Sequence, residues 1–217
     1  MACFRVYVDA LRADLYRNRR ATGLRAFVRC YLRKPGFRYL FWMRTVGYLA
    51  ETPVLWCLYR IGLFQLHRLQ IKYGISIPHV TRIGPGFCIG HFGGIVVNGS
   101  AVIGRNCNIG HGVTIAQKNR GRCKGCPTIG DMVYIGPGSC ILGGISVGSN
   151  VVIGAHAVVV HDVGDDEVVV GNPAKTISKD GARDYVNYTL SEDGEESEVS
   201  GYEGWRSQLS AWHKCRS

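Results

Sequence analysis

From Ile77 to Val159 an aliphatic residue returns at about every sixth position: Ile77, Ile83, Ile89, Ile95, then Ile103, Ile109, Ile115, then Ile129, Ile135, Ile141, Val147, Ile153 and Val159. Glycine usually follows each of them. A period of six matches neither the 3.6 of a helix nor the 2 of a strand, because a helix would scatter these side chains round its circumference. The fourth residue after each aliphatic is small or branched as well, as at Cys107, Val113, Val133, Ser139, Val151 and Ala157, with Phe87 and Gly93 as departures. Two inward positions per six residues, with a permissive turn between, describe a three-sided coil of short strands. Each coil buries its aliphatics only against the coils above and below, so the array is a solenoid with one continuous core. An antiparallel sandwich would place its turns every 8–12 residues, which this spacing does not do.

The frame breaks twice. Ile95 to Ile103 is eight residues, which predicts a two-residue bulge around Asn98, Gly99 and Ser100. Ile115 to Ile129 is fourteen, and the excess is the basic, glycine-rich stretch from Gln117 to Thr128. Such an excursion adds nothing to a core and is expected to belong to a site.

Residues 1–74 read as helices. Thr52-Pro53 predicts a capped start, followed by an apolar face of Leu55, Leu58, Tyr59, Gly62, Leu63, Leu66 and Leu69. Before Pro35-Gly36, the residues Leu24, Phe27, Val28, Tyr31 and Leu32 mark an earlier amphipathic stretch. The expected organisation is a basic helical region over 1–74, a mainly β parallel helix over 75–178, and a polar, acidic tail over 179–217, with Ser191 to Glu198 as a solvated segment.

Charge sharpens the picture at the N-terminus. The formal net charge is +10, and residues 1–74 alone hold fourteen Lys or Arg against Asp9, Asp14 and Glu51. That block points to anionic partners, with a membrane surface among them, or to a solvated helical face. It carries no recognisable nucleic-acid recognition motif, so nucleic acid is not an expected partner. Nine cysteines without paired spacing fit a reducing cytoplasm. Cys123 and Cys126 form one C-x-x-C without two further ligands, so no metal is expected. No apolar run is long enough to span a bilayer, which leaves peripheral contact at the inner face of the membrane as the only membrane role expected.

Chemistry is sought where the apolar logic of the coils fails. His91 and His111 each stand second after a frame isoleucine, and Ile89 and Ile109 are three hexads apart, so both imidazoles are expected on one corner in successive coils. Coils stack at the strand spacing of about 4.8 Å, close enough for the rings to touch or share a ligand. Imidazole is suited to taking a proton from a hydroxyl near neutral pH.

The stretches Ile89-Gly-His-Phe-Gly-Gly-Ile-Val-Val-Asn98, Cys126-Pro-Thr-Ile-Gly-Asp-Met-Val-Tyr-Ile-Gly-Pro-Gly138 and Val169-Val-Gly-Asn-Pro-Ala-Lys175 resemble serine O-acetyltransferases and their relatives in polysaccharide-biosynthesis loci. The likeness covers about residues 75–178 and extends loosely to Asp14-Leu-Tyr16 and Pro35-Gly-Phe37. It implies a left-handed parallel β-helix, a homotrimer, and acetyl-CoA bound between adjacent β-helices as co-substrate. It also implies His91 as general base, backbone N–H groups stabilising the oxyanion, Pro137 and Ala155 lining the pantetheine groove, and Lys175 near the coenzyme phosphates.

Lys118, Arg120, Arg122 and Lys124 of the long loop are expected to meet anionic groups, Lys118 and Arg120 at the coenzyme. Ser76, His79 and His111 are the candidates for orienting His91. Ser76 stands where the family has the orienting aspartate, Gly90 replaces the acidic residue before the catalytic histidine, and Gly125-Cys126 replaces an Arg-His pair that grips a carboxylate. Those exchanges remove the charged partners an amino acid needs. The sequence therefore favours O-acetylation of a sugar hydroxyl in surface-polysaccharide synthesis, with serine O-acetylation as the alternative and a non-catalytic trimeric scaffold as the third reading.

Overall fold

The computed structural model describes residues 2–190 and 196–197. The acidic segment expected from Ser191 onward lies outside the described residues, apart from the backbone of a two-residue strand at Glu196–Ser197. Four helices come first: α1 (Ala2–Arg19), α2 (Leu24–Arg33), α3 (Pro35–Ala50) and α4 (Trp56–Tyr73). Thr52 does not cap α4. A 3₁₀ turn over Pro53–Leu55 intervenes, and the Thr52 hydroxyl donates back to the Tyr48 carbonyl at 3.1 Å.

The coils follow as a left-handed parallel β-helix. The first has β1 (Ile75–Ser76), β2 (Arg82–Ile83) and β3 (Cys88–Ile89), and the second β4 (Ile95–Val97), β5 (Val102–Ile103) and β6 (Asn108–Ile109). The third has β7 (Thr114–Ala116), β8 (Thr128–Ile129) and β9 (Tyr134–Ile135), and the fourth β10 (Cys140–Leu142), β11 (Ser146–Val147) and β12 (Val152–Ile153). β13 (Val158–Val159) and β14 (Val168–Val170) end the fifth, with Val163 bridging to Val147 between them. Stacking makes three parallel faces, β1-β4-β7-β10-β13, β2-β5-β8-β11 and β3-β6-β9-β12-β14. The strand β15 (Lys175–Ser178) then turns back antiparallel onto β14.

Every frame aliphatic points inward. Ile77, Ile115, Ile135, Ile141, Ile153 and Val159 have no exposed surface, and Phe87, Cys107, Val113, Val133, Ser139, Val151 and Ala157 fill the second inward position equally. Burial of each such aliphatic side chain stabilises by about 1.5–3 kcal/mol. It also pushes the Cys107 thiol up to about 12, so this cysteine acts as a small apolar residue. At the edge between the second and third faces the coils nearly touch. A Cβ on Gly84 would lie 2.6 Å from Gly104, and one on Gly104 2.5 Å from Gly130, so only glycine fits that column.

The register corrects one expectation. Val97 pairs with Ile115, and Ile103 follows Val97 by six residues, so there is no bulge at Asn98–Ser100. Ile89 pairs with Ile109 and the Gly112 N–H bonds to Gly93, which places the two extra residues at His91 and Phe92. Gly93 departs from the small-or-branched rule for the same reason, since Ile95 has moved into the inward position and is fully buried.

The helical region is tied to the first coils by hydrogen bonds of charged side chains of α1 and α3, two of which also pair with each other. Arg44 grips Asp14 through Nε at 2.5 Å and Nη2 at 3.1 Å, and also donates to the carbonyls of Ile83 and Gly84. The Phe87 N–H donates to Asp14 at 2.9 Å. Full burial pushes the Asp14 carboxyl above the ordinary carboxylate value, against the opposing pull of Arg44 and of that N–H. Arg17 reaches the Gly86 carbonyl and the Asn108 side chain. Gly36 lies so close to the third face that a Cβ there would sit 2.5 Å from the Ile89 carbonyl oxygen.

The tail expected from residue 179 is partly structured. Ala182 and Val186 are buried against Met132 and Val152, and the Tyr185 ring packs on Tyr134 at 4.8 Å.

Candidate functional site

The edge between the third face and the first face of the next coil carries the site. Its corners are Gly90–Gly94, Gly110–Val113, Gly136–Ser139, Gly154–Ala157 and Gly171–Ala174, and none of these five segments contains Asp, Glu, Lys or Arg. Hydrogen bonds hold the corners in register, from Gly138 N–H to His111 O and from His156 N–H to Pro137 O. His111, Pro137 and Ala155 therefore follow one another along the edge.

His91 and His111 come together as their spacing implied. Their ring centroids are 6.1 Å apart and nearly perpendicular, and both side chains are exposed. His91 sits on the two-residue insertion, which carries it out beyond the regular corner, while Phe92 packs on Tyr73 of α4 at 5.6 Å. The end of α4 thus flanks the His91 corner.

Ser76 is exposed on β1 and pairs with Val96, which places it on the face adjoining this edge. His79 is not part of the site. It lies in the turn between β1 and β2, on another edge of the prism, with its ring on Tyr59 at 6.0 Å. Of the three candidates for orienting His91, His111 is the one whose ring contacts it.

Lys118 and Arg120 are exposed in the loop between β7 and β8, again on a different edge. Lys118 and Gly125 form an antiparallel bridge, and the loop folds over the next coil where the Gly144 N–H bonds to the Cys123 carbonyl at 2.8 Å. Within the chain a full side of the prism, six residues or about 20 Å at strand rise, separates this loop from His91. One chain by itself does not unite these two cations with the histidines.

Lys175 is exposed at the start of β15, just past the last corner. That corner is secured by His161, whose ring nitrogens lie 2.9 Å from the Asp162 carbonyl and 2.8 Å from the Ala174 carbonyl. Two acceptors favour the imidazolium, so the His161 pKa is raised by these backbone contacts. The stability it adds is fully present below the ordinary histidine value and is lost as pH rises through its folded value. Amide exchange over Val170–Ser178, corrected for intrinsic rates, is expected to be more protected at about pH 6 than at about pH 8.5. His161→Gln should flatten that difference, and equal protection at both pH values would refute it.

Sequence reasoning missed His156 and Phe92. His156 lies on the same edge with its ring over Gly138, where a Cβ would meet it at 2.5 Å. It stands third, not second, after its frame isoleucine, so the histidine count along the frame passed over it.

A left-handed parallel β-helix with a histidine-bearing edge fits the class of hexapeptide-repeat transferases. Residues 126–161 match the family described as Bacterial transferase hexapeptide (six repeats). A serine acetyltransferase of Synechococcus elongatus is 35% identical over 156 residues, 71% of this chain and 60% of that protein. The crystal structure of Neisseria gonorrhoeae serine acetyltransferase in complex with serine superposes with a TM-score of 0.66 at 32% identity, over 79% of this chain and 69% of that one. A serine acetyltransferase in complex with CoA gives 0.65 at 26% identity, over 80% and 70%. The chain belongs to the hexapeptide-repeat acyltransferases of serine O-acetyltransferase-like type. It spans about three fifths of the length of the Synechococcus relative.

Proposed function

We propose that the protein is an acetyl-CoA-dependent O-acetyltransferase, with the hydroxyl of L-serine as the acceptor that its relatives favour. The observation that carries the reading is the His91–His111 pair on an edge where the small or flat residues Pro137 and Ala155 follow His111 in successive corners. Those residues fit a thin pantetheine arm lying along the backbone, and Lys175 beyond them fits its phosphates. Acetyl-CoA supplies an acetyl group activated as a thioester. His91 takes the proton of the acceptor hydroxyl as its oxygen bonds the acetyl carbon, and returns it to the departing sulfur. His111 positions the His91 ring. A homotrimer would set the loop of one protomer, with Lys118 and Arg120, beside the histidine edge of the next, which is how two separated edges of one chain can serve a single site.

A second reading rests on a specific observation. The histidine edge holds no charged side chain in any of its five corners, and Ser76, Gly90 and Gly125-Cys126 stand where the resemblance placed charges. A neutral hydroxyl, as on a sugar of a surface polysaccharide, needs no ionic partner there. The two readings separate in one assay of CoA release with L-serine and with a panel of sugars and sugar nucleotides. Turnover on serine alone supports the first, and turnover on a sugar alone supports the second. No CoA release with any acceptor would sink both and leave a scaffold.

A further inference from the structure

The expected face of α4 packs inward through Tyr59, Leu63, Leu66 and Leu69, but the outward faces of α2 and α4 also carry large apolar side chains. Leu24, Val28 and Leu32, four residues apart on α2, are 78%, 46% and 65% exposed, and the apolar side that packs inward is instead Phe27, Cys30 and Tyr31. On α4, Ile61, Phe64 and Ile71 are 61%, 65% and 73% exposed, and spacings of three and seven keep them on one face. The two faces meet. Leu32 of α2 lines a groove with Arg68, Ile71 and Lys72 of α4.

Each exposed aliphatic of α2 is followed by an exposed arginine, Arg25, Arg29 and Arg33, and on α4 the Arg68 guanidinium lies 6.0 Å from the Phe64 ring centroid. Between Asp14 and Asp131 the sequence has one acidic residue, Glu51. Large apolar side chains standing among cations, with no anion beside them among the described residues, match a surface that is apolar below and anionic above. No described helix is long and apolar enough to cross a membrane.

We infer that the joined outer faces of α2 and α4 form a docking surface for an anionic phospholipid membrane. The helices lie in the interface plane, with Leu24, Leu32, Phe64 and Ile71 entering the acyl boundary and the arginines at the headgroups. Charge complementarity selects lipid over a second copy of the chain, since two such faces would bring like charges together. The inference does not depend on which acceptor is acetylated.

The test is flotation of the full chain with phosphatidylcholine vesicles and with vesicles holding about 30% phosphatidylglycerol. Binding to the anionic vesicles alone, reversed by salt, is expected. Arg29→Gln/Arg33→Gln/Arg68→Gln should weaken it about a hundredfold, at about fivefold per cation. Leu32→Gln/Phe64→Ser/Ile71→Gln should abolish it, while thermal melting and CoA release with a soluble acceptor stay as in the parent. Absence of binding, equal binding to neutral vesicles, or retention by both variants would overturn the inference. So would light scattering in which the apolar variant loses a subunit that the parent holds.

Discussion

His91→Ala is expected to lower the rate of CoA release by about a hundredfold to ten-thousandfold, the usual contribution of a positioned general base. The loss should fall on kcat, because Pro137, Ala155 and Lys175, on the coils beyond, keep the surface proposed for the coenzyme. His111→Ala is expected to give a smaller defect, since it removes only the ring that packs perpendicular to His91. Release of the CoA thiol, followed colorimetrically, measures both. A parent-like rate in His91→Ala would remove the histidine edge from the chemistry.

Asp14→Ala is expected to destabilise the fold by about 3–5 kcal/mol, because it leaves the Arg44 guanidinium, only 10% exposed, without its carboxylate. The Phe87 N–H would lose its acceptor as well. For a chain of this size the melting temperature should fall by about 10 °C. Asp14→Asn keeps an oxygen for Phe87 and should cost less. Calorimetry decides the matter, and an unchanged melting temperature would mean that the Asp14 carboxylate does not anchor the helical region. Asp14 bonds to the turn before β3 and not to the histidine corner, so turnover well below the melting temperature should persist.

The coils were legible because burial and sequence share one period. An aliphatic that faces the axis must recur when the chain returns to the same face, and a six-residue side makes that return visible. The position of the two-residue insertion was not legible. Ile95 stands six residues after Ile89 and counts as a frame residue, yet only strand pairing reveals that it fills the second inward slot and that Val97 holds the frame. The histidine pair could be found by counting, and the same count separates His79 from it, since Ile77 stands two hexads before Ile89 and three are needed to return to one edge. The helices show a different limit. Periodicity identifies an apolar side and is silent on what covers it, so Leu24, Leu32 and Leu58 read as core and are exposed. Asp14 and Arg44 are thirty residues apart, and nothing local to either signals that they meet.

Parallel coils have no natural end, because each leaves a rim of backbone donors and acceptors for the next. Here both rims are covered in part. The helices, wedged down by Gly36 against Ile89, lie on one, and the reversed strand β15 occupies the third face of the other. These covers blunt strand addition at both ends of the described prism and leave its long flanks open. Because the histidine edge runs along those flanks, a neighbour seated beside it and a molecule reaching the imidazoles would share one surface.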